Sequence, residues 1–141
     1  MELKSLLPAG ADDIARALLR VALGVLILLH GIAKIQNGLG FVFGVLDKAG
    51  LPPAMAYLVY VGEVLAPVLL IVGLYARAAA LIVLVNMLFA VGLVDIGRLF
   101  ALTPSGGWAL ELQAMFIVAA IAVALLGAGR YSLGGSQGRW N

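Results

Sequence analysis

The chain has 141 residues, of which 64% are hydrophobic and 11% charged, and its formal net charge is +2. Soluble domains are roughly 45–50% apolar and about 25% charged, so this much apolar surface excludes a soluble globular fold and requires lipid as the solvent. The basic residues are scattered without a run, which argues against a nucleic-acid partner, and the lack of cysteine excludes disulfides, thiolate metal sites and iron–sulfur ligation by this chain.

A hydrocarbon core of about 30 Å needs roughly 20 apolar residues per helix. Four such segments and short connections use up the chain. The expected fold is an all-α integral membrane four-helix bundle, a single domain over residues 1–141, with spans at about 12–36, 54–75, 76–99 and 107–126. A short amphipathic or re-entrant helix is expected between the first and second spans.

Met1 to Asp13 carries Glu2, Asp12 and Asp13, a poor basic leader, so the first apolar stretch reads as a retained membrane helix. Asp12 or Asp13 is placed to cap it. Arg20, His30 and Lys34 make it unusually polar for a span. Leu39 to Ala49 is too short to cross, and Gly50-Leu51-Pro52-Pro53 ends it and launches the second span, since proline is tolerated in a first helical turn. The second span contains Glu63 and Pro67, and Pro67 removes a backbone donor and predicts a kink. A very short turn makes the second and third spans antiparallel neighbours. Asn86 lies near the middle of the third span and reads as an interhelical hydrogen-bonding group. Asp95 and Arg98 read as a local surface ion pair. A Thr103-Pro104-Ser105-Gly106-Gly107 loop leads to the fourth span, and Gly127 to Asn141 is a glycine-rich polar tail.

Basic residues set the expected orientation. Lys4, Arg16, Arg20, Arg77, Arg130 and Arg139 fall on one side, against Lys34, Lys48 and Arg98 on the other. That bias predicts both termini in the cytoplasm and a location in the inner cell membrane.

Ionisable groups inside a span cost about 2.5–3.5 kcal/mol at mid-helix and normally face protein or water. Arg20, Gly24, Gly31, Lys34 and, at the edge, His30 share one face of the first helix. The glycines there let another helix approach closely. Tyr60, Glu63 and Pro67 share a face of the second helix. In the predicted topology His30, Lys34, Glu63 and Glu111 lie at similar depth, and with Tyr60 they form a candidate polar pocket. Two readings of that cluster stand. Lys34 pairs with Glu63 or Glu111 and His30 completes a purely structural network, or the groups form a site that binds a small molecule or moves protons. One histidine and two carboxylates at this spacing do not indicate a metal site.

The order and spacing of Arg20, Gly24, His30-Gly31 with Lys34, Gly62-Glu63, Gly73-Leu74 with Arg77, Glu111, and Gly127-Ala128-Gly129-Arg130 followed by Ser132-Leu133 resembles the DoxX family of small bacterial and archaeal membrane proteins. The resemblance implies a four-helix membrane bundle. It also implies links to quinone or thiol stress, since some members look like membrane subunits of thiosulfate:quinone oxidoreductase and others work beside soluble redox enzymes. The resulting expectation is a quinone-linked redox or oxidative-stress subunit with the headgroup near His30, Glu63 and Glu111. No intrinsic cofactor is expected, and the expected partners are lipids, a soluble redox enzyme and a second copy of the chain. The alternatives are a non-catalytic anchor for a soluble enzyme and a small-solute transporter or channel. Arg20, Gly24, Gly31, Pro67, Arg77, Asn86 and Arg130 are assigned structural roles.

Overall fold

The computed structural model describes residues 8–141, so Lys4 lies outside the described residues. The described chain is helical, with only an isolated bridge between Leu102 and Trp108. Five helices follow in order: α1 (Ala11–Asn37), α2 (Gly40–Lys48), α3 (Pro53–Val72), α4 (Ala76–Arg98) and α5 (Glu111–Leu126). α1, α3 and α4, with 27, 20 and 23 residues, are long and apolar enough to cross a membrane. α5 is equally apolar but has only 16 residues, a length of about 24 Å. It starts at Glu111 rather than near Gly107, because Thr103 to Leu110 folds into a hairpin instead of a first helical turn.

The core is built from small residues. Ala76, Ala79, Ala80 and Val83 of α4 meet Ala120 and Val123 of α5, with Leu23 and Ile27 of α1 and Leu70 of α3 closing the layer. Large apolar side chains such as Leu18, Leu65, Leu88 and Leu125 point outward. This inversion suits a helix bundle in lipid, where close backbone approach rather than burial of leucine drives packing.

α1 and α3 touch through glycine. A Cβ at Gly24 would come within 2.9 Å of the Pro67 carbonyl oxygen. Gly31 lies so close to the Glu63 carbonyl that any side chain there would strike backbone. That carbonyl is the one Pro67 cannot satisfy, because proline has no N–H to donate four residues back. The irregularity expected at Pro67 takes the form of a π turn, Val61–Leu65, just before it. A second π turn, Val91–Asp95, loosens the far end of α4.

The acidic cap expected on α1 is absent. Gly10 holds the N-cap with φ 86° and no side-chain bond. Asp13 instead accepts from the Arg130 backbone N–H at 3.1 Å. The glycine-rich polar tail is tied to the bundle by backbone hydrogen bonds. Leu133 and Gly134 N–H groups donate to the Val72 and Gly73 carbonyls, both at 3.0 Å, and the Arg77 N–H donates to the Trp140 carbonyl at 3.0 Å. Residues 127–141 thus fold over the α3–α4 turn and close one end of the bundle.

Candidate functional site

At the other end the helices splay around a half-open cleft of about 630 Å³. Its walls come from all five helices and are mainly apolar. Six polar side chains interrupt them: His30, Lys34, Glu63, Asn86, Asp95 and Gln113.

Glu63 is the buried centre of the first group. Lys34 Nζ donates to its Oε2, and Asn86 Nδ2 donates to its Oε1 at 3.2 Å. The local sequence explains why these three meet. Gly31 brings α1 onto α3 one turn before Lys34, so the lysine reaches across to Glu63. Gly62 does the same for α4, since a Cβ there would lie 2.6 Å from the Asn86 carboxamide. The π turn that contains Glu63 aims its carboxylate between the two partners. Side-chain exposures of 28% for Lys34 and 7% for Glu63 leave the cation facing the cleft and the anion behind it. His30 sits one turn earlier on α1. It is exposed to the cleft and packs edge-on against Phe116, with ring centroids 6.1 Å apart.

Asp95 centres a second group. It is buried, with Arg98 donating to its Oδ1 at 3.2 Å and Gln113 donating to its Oδ2 at 3.0 Å. The Asp95–Arg98 pair expected on the surface exists, but its carboxylate lines the cleft and ties α4 to α5. The signal available in the sequence is Gln113, an amide set within an otherwise apolar helix. Both cleft carboxylates lie on π turns, and each is held by one cation and one carboxamide. π turns collect at functional sites because they re-aim a side chain without ending the helix.

Two expected pocket residues are elsewhere. Tyr60 packs with Leu39, Leu46 and Ala56 beneath α2 and does not line the cleft. Glu111 is exposed in the first turn of α5, with its carboxylate folded over Gly107. It is therefore Glu63 alone that pairs with Lys34.

A family model for DoxX matches residues 15–96. The chain belongs to the DoxX family. The matched stretch runs from α1 into α4 and includes His30, Lys34, Glu63, Asn86 and Asp95, whereas Gln113 and Glu111 lie beyond it. No curated protein and no solved structure matches the chain.

The closed end of this DoxX protein holds a different charge arrangement. Arg20 is 1% exposed and has no acidic partner among the described residues. Its Nη1 donates to the Leu70 carbonyl and, at 2.8 Å, to the Ile71 carbonyl; its Nη2 donates to the Tyr131 carbonyl at 2.7 Å. Nε has no partner among the described residues. Gly73, in a left-handed conformation with φ 73°, makes room for the guanidinium. Arg77 binds the last carbonyls of α5, donating to Ala124 and Leu125 at 3.0 Å, and also donates to the Asn141 carbonyl at 3.1 Å. These arginines satisfy helix C-terminal carbonyls that would otherwise be orphaned.

Proposed function

We propose that this DoxX-family protein is the quinone-binding membrane subunit of a redox system, and that the cleft is its site. One observation carries the reading: a half-open, mainly apolar cleft with hydrogen-bond donors gathered at one place in it. A quinone needs apolar walls for its tail and a few polar groups at its head. Lys34 keeps unspent ammonium N–H groups after binding Glu63, and His30 presents an imidazole with no polar partner among the described residues. Both can donate to a carbonyl oxygen, and His30 can hold or pass a proton. Glu63 holds the lysine in place, and Asn86 holds Glu63. When bound, a quinone supplies two-electron, two-proton redox chemistry. The cleft side chains carry no electrons, so an associated redox enzyme or flavin supplies them. The excess of basic residues at the closed end supports cytoplasmic termini in the inner membrane, with the cleft in the outer half.

A second reading is a non-catalytic anchor for a soluble enzyme. It is favoured by the completeness of both carboxylate groups, each already satisfied without a ligand. Lipid extraction from the purified protein, followed by mass spectrometry, separates the two. Near-stoichiometric quinone in the wild type, lost in Lys34→Met, is the expected result. A stoichiometric soluble protein with no quinone would replace the first reading with the second. Neither would leave the transporter or channel alternative.

A further inference from the structure

The cleft has two polar ends. Lys34 and His30 mark one, with Glu63 and Asn86 behind the lysine; Gln113, bound to Asp95, marks the other. A ligand with a single polar atom would use only one of them.

The Gln113 carboxamide is half spent. An ionised carboxylate only accepts, so the amide nitrogen faces Asp95, and Nε2 donates to Oδ2 at 3.0 Å. The second N–H and the carbonyl oxygen Oε1 have no partner among the described residues, on a side chain that lines the cleft. Asp95 is itself held by Arg98, so turning the amide round would break a fixed bond. An amide held in this way is preorganised for a ligand atom. A ligand that excluded water and offered it nothing would leave it unpaired at a cost.

Phe116 sets the span between the two ends. It lines the cleft and packs edge-on against His30, with ring centroids 6.1 Å apart. Gln113 stands three residues earlier on α5, on the same helix face and about 4.5 Å along the axis. The imidazole and the carboxamide are therefore separated across Phe116 by a distance on the order of 10 Å. A six-membered ring with an oxygen at each end, and a hydrogen bond of about 2.9 Å beyond each oxygen, is on that scale. Oxygens on adjacent ring carbons would reach one end only.

We infer that Gln113 binds the far oxygen of the quinone ring, so that the cleft selects a para-quinone lying along Phe116. The inference rests on the quinone reading of the cleft and adds the second contact to it. In the oxidised ring the free N–H of Gln113 donates to the carbonyl. In the reduced ring its Oε1 accepts from the hydroxyl. One side chain thus serves both forms, and it stands on α5, beyond the stretch that the family model matches.

Duroquinone labelled with carbon-13 at both carbonyls is the probe. Its carbonyls are equivalent, so the free compound gives one carbonyl resonance. Bound to the wild type it should give two, both displaced downfield by hydrogen bonding. Gln113→Leu should return one of them to the free position, leave the other displaced, and weaken binding roughly five- to tenfold. A wild-type spectrum with one bound carbonyl at the free position would overturn the inference and leave the quinone reading standing. A Gln113→Leu spectrum that matches the wild type would do the same. If no bound signal forms at all, the quinone reading falls and the inference falls with it. Should Gln113→Leu fail to fold, the wild type is titrated with the ortho isomer of duroquinone, which has the same apolar area. At least fivefold weaker binding of the ortho isomer is expected, and equal affinities would sink the proposal.

Discussion

Arg20 and Lys34 are cations on the same face of α1, about four turns apart, and the protein treats them in opposite ways. Arg20 is enclosed by backbone: carbonyls from α3 and from the tail take its guanidinium, and the side chain is buried. Lys34 is held by a side chain, beside a cleft, with more than a quarter of it exposed. Carbonyls cannot gain or lose charge, so the Arg20 end can only hold. A carboxylate–ammonium pair at a cleft wall can exchange partners with a ligand. The same physical problem, a charge in an apolar helix, is solved for stability at one end and left open to chemistry at the other.

Replacing Arg20 by Met should have the largest effect on stability. Hydrogen bonds to a charged group contribute about 1.5–3 kcal/mol each, but removing the cation also removes its desolvation cost. A net loss of about 3 kcal/mol is expected, measured by unfolding in mixed micelles, with quinone binding by the folded fraction unchanged. A loss below about 1 kcal/mol would erase the contrast between the two ends.

Gly31→Ala tests the contact that positions the cleft. The new methyl meets the Glu63 carbonyl, which is backbone in a helix and cannot swing aside. Overpacking typically costs about 1–3 kcal/mol, and this variant should fall in the upper half. Gly24→Ala should cost less, since part of its crowding is the Ile71 side chain. The two melting temperatures, compared directly, check the order. Gly31→Ala should also weaken quinone binding by shifting Lys34, whereas Gly24→Ala should not.

Much of this architecture is legible in the sequence because lipid imposes long uniform apolar runs, and glycines on the charged face of α1 announce close approach. Asn86 as an interhelical group is equally legible, and its partner is Glu63. The choice between Glu63 and Glu111 as partner of Lys34 is not. It depends on helix register, which is set by the Gly31 and Gly62 contacts and the π turn, and none of these follows from hydropathy. Asp95 misleads for a related reason: its spacing to Arg98 describes a surface pair, while the π turn that turns it inward is a tertiary event. The tail reads only as glycine-rich and polar because its hydrogen bonds are made with distant backbone, which no local pattern records.

The Lys34–Glu63 pair should give a smaller stability effect and a larger functional one. A fully buried broken pair costs about 3–5 kcal/mol and an exposed one less than about 1. Because the cleft admits solvent to Lys34, Glu63→Gln should cost about 1–2 kcal/mol. Adding Lys34→Met should recover most of that, since no unpaired cation remains. Titration with a short-chain quinone should show binding lost in both single variants and in the double. Restored stability with unaltered quinone binding would make the pair structural, and the contrast with Arg20 would disappear.

Glu111→Gln should have the smallest effect. Its carboxylate is exposed beside Gly107 in the first turn of α5, outside the cleft. Only a helix N-terminus interaction of about 0.3–1 kcal/mol is at stake there, and salt should screen it. The melting temperature should therefore drop slightly at low ionic strength and match the wild type at high ionic strength. Quinone affinity should match the wild type in both. This variant removes the same charge as Glu63→Gln from a residue that the sequence places at the same depth, so the pair of variants isolates cleft geometry from depth. If Glu111→Gln abolished binding as Glu63→Gln should, the carboxylate would have to swing from Gly107 into the cleft mouth, and the open end would extend to the base of the hairpin.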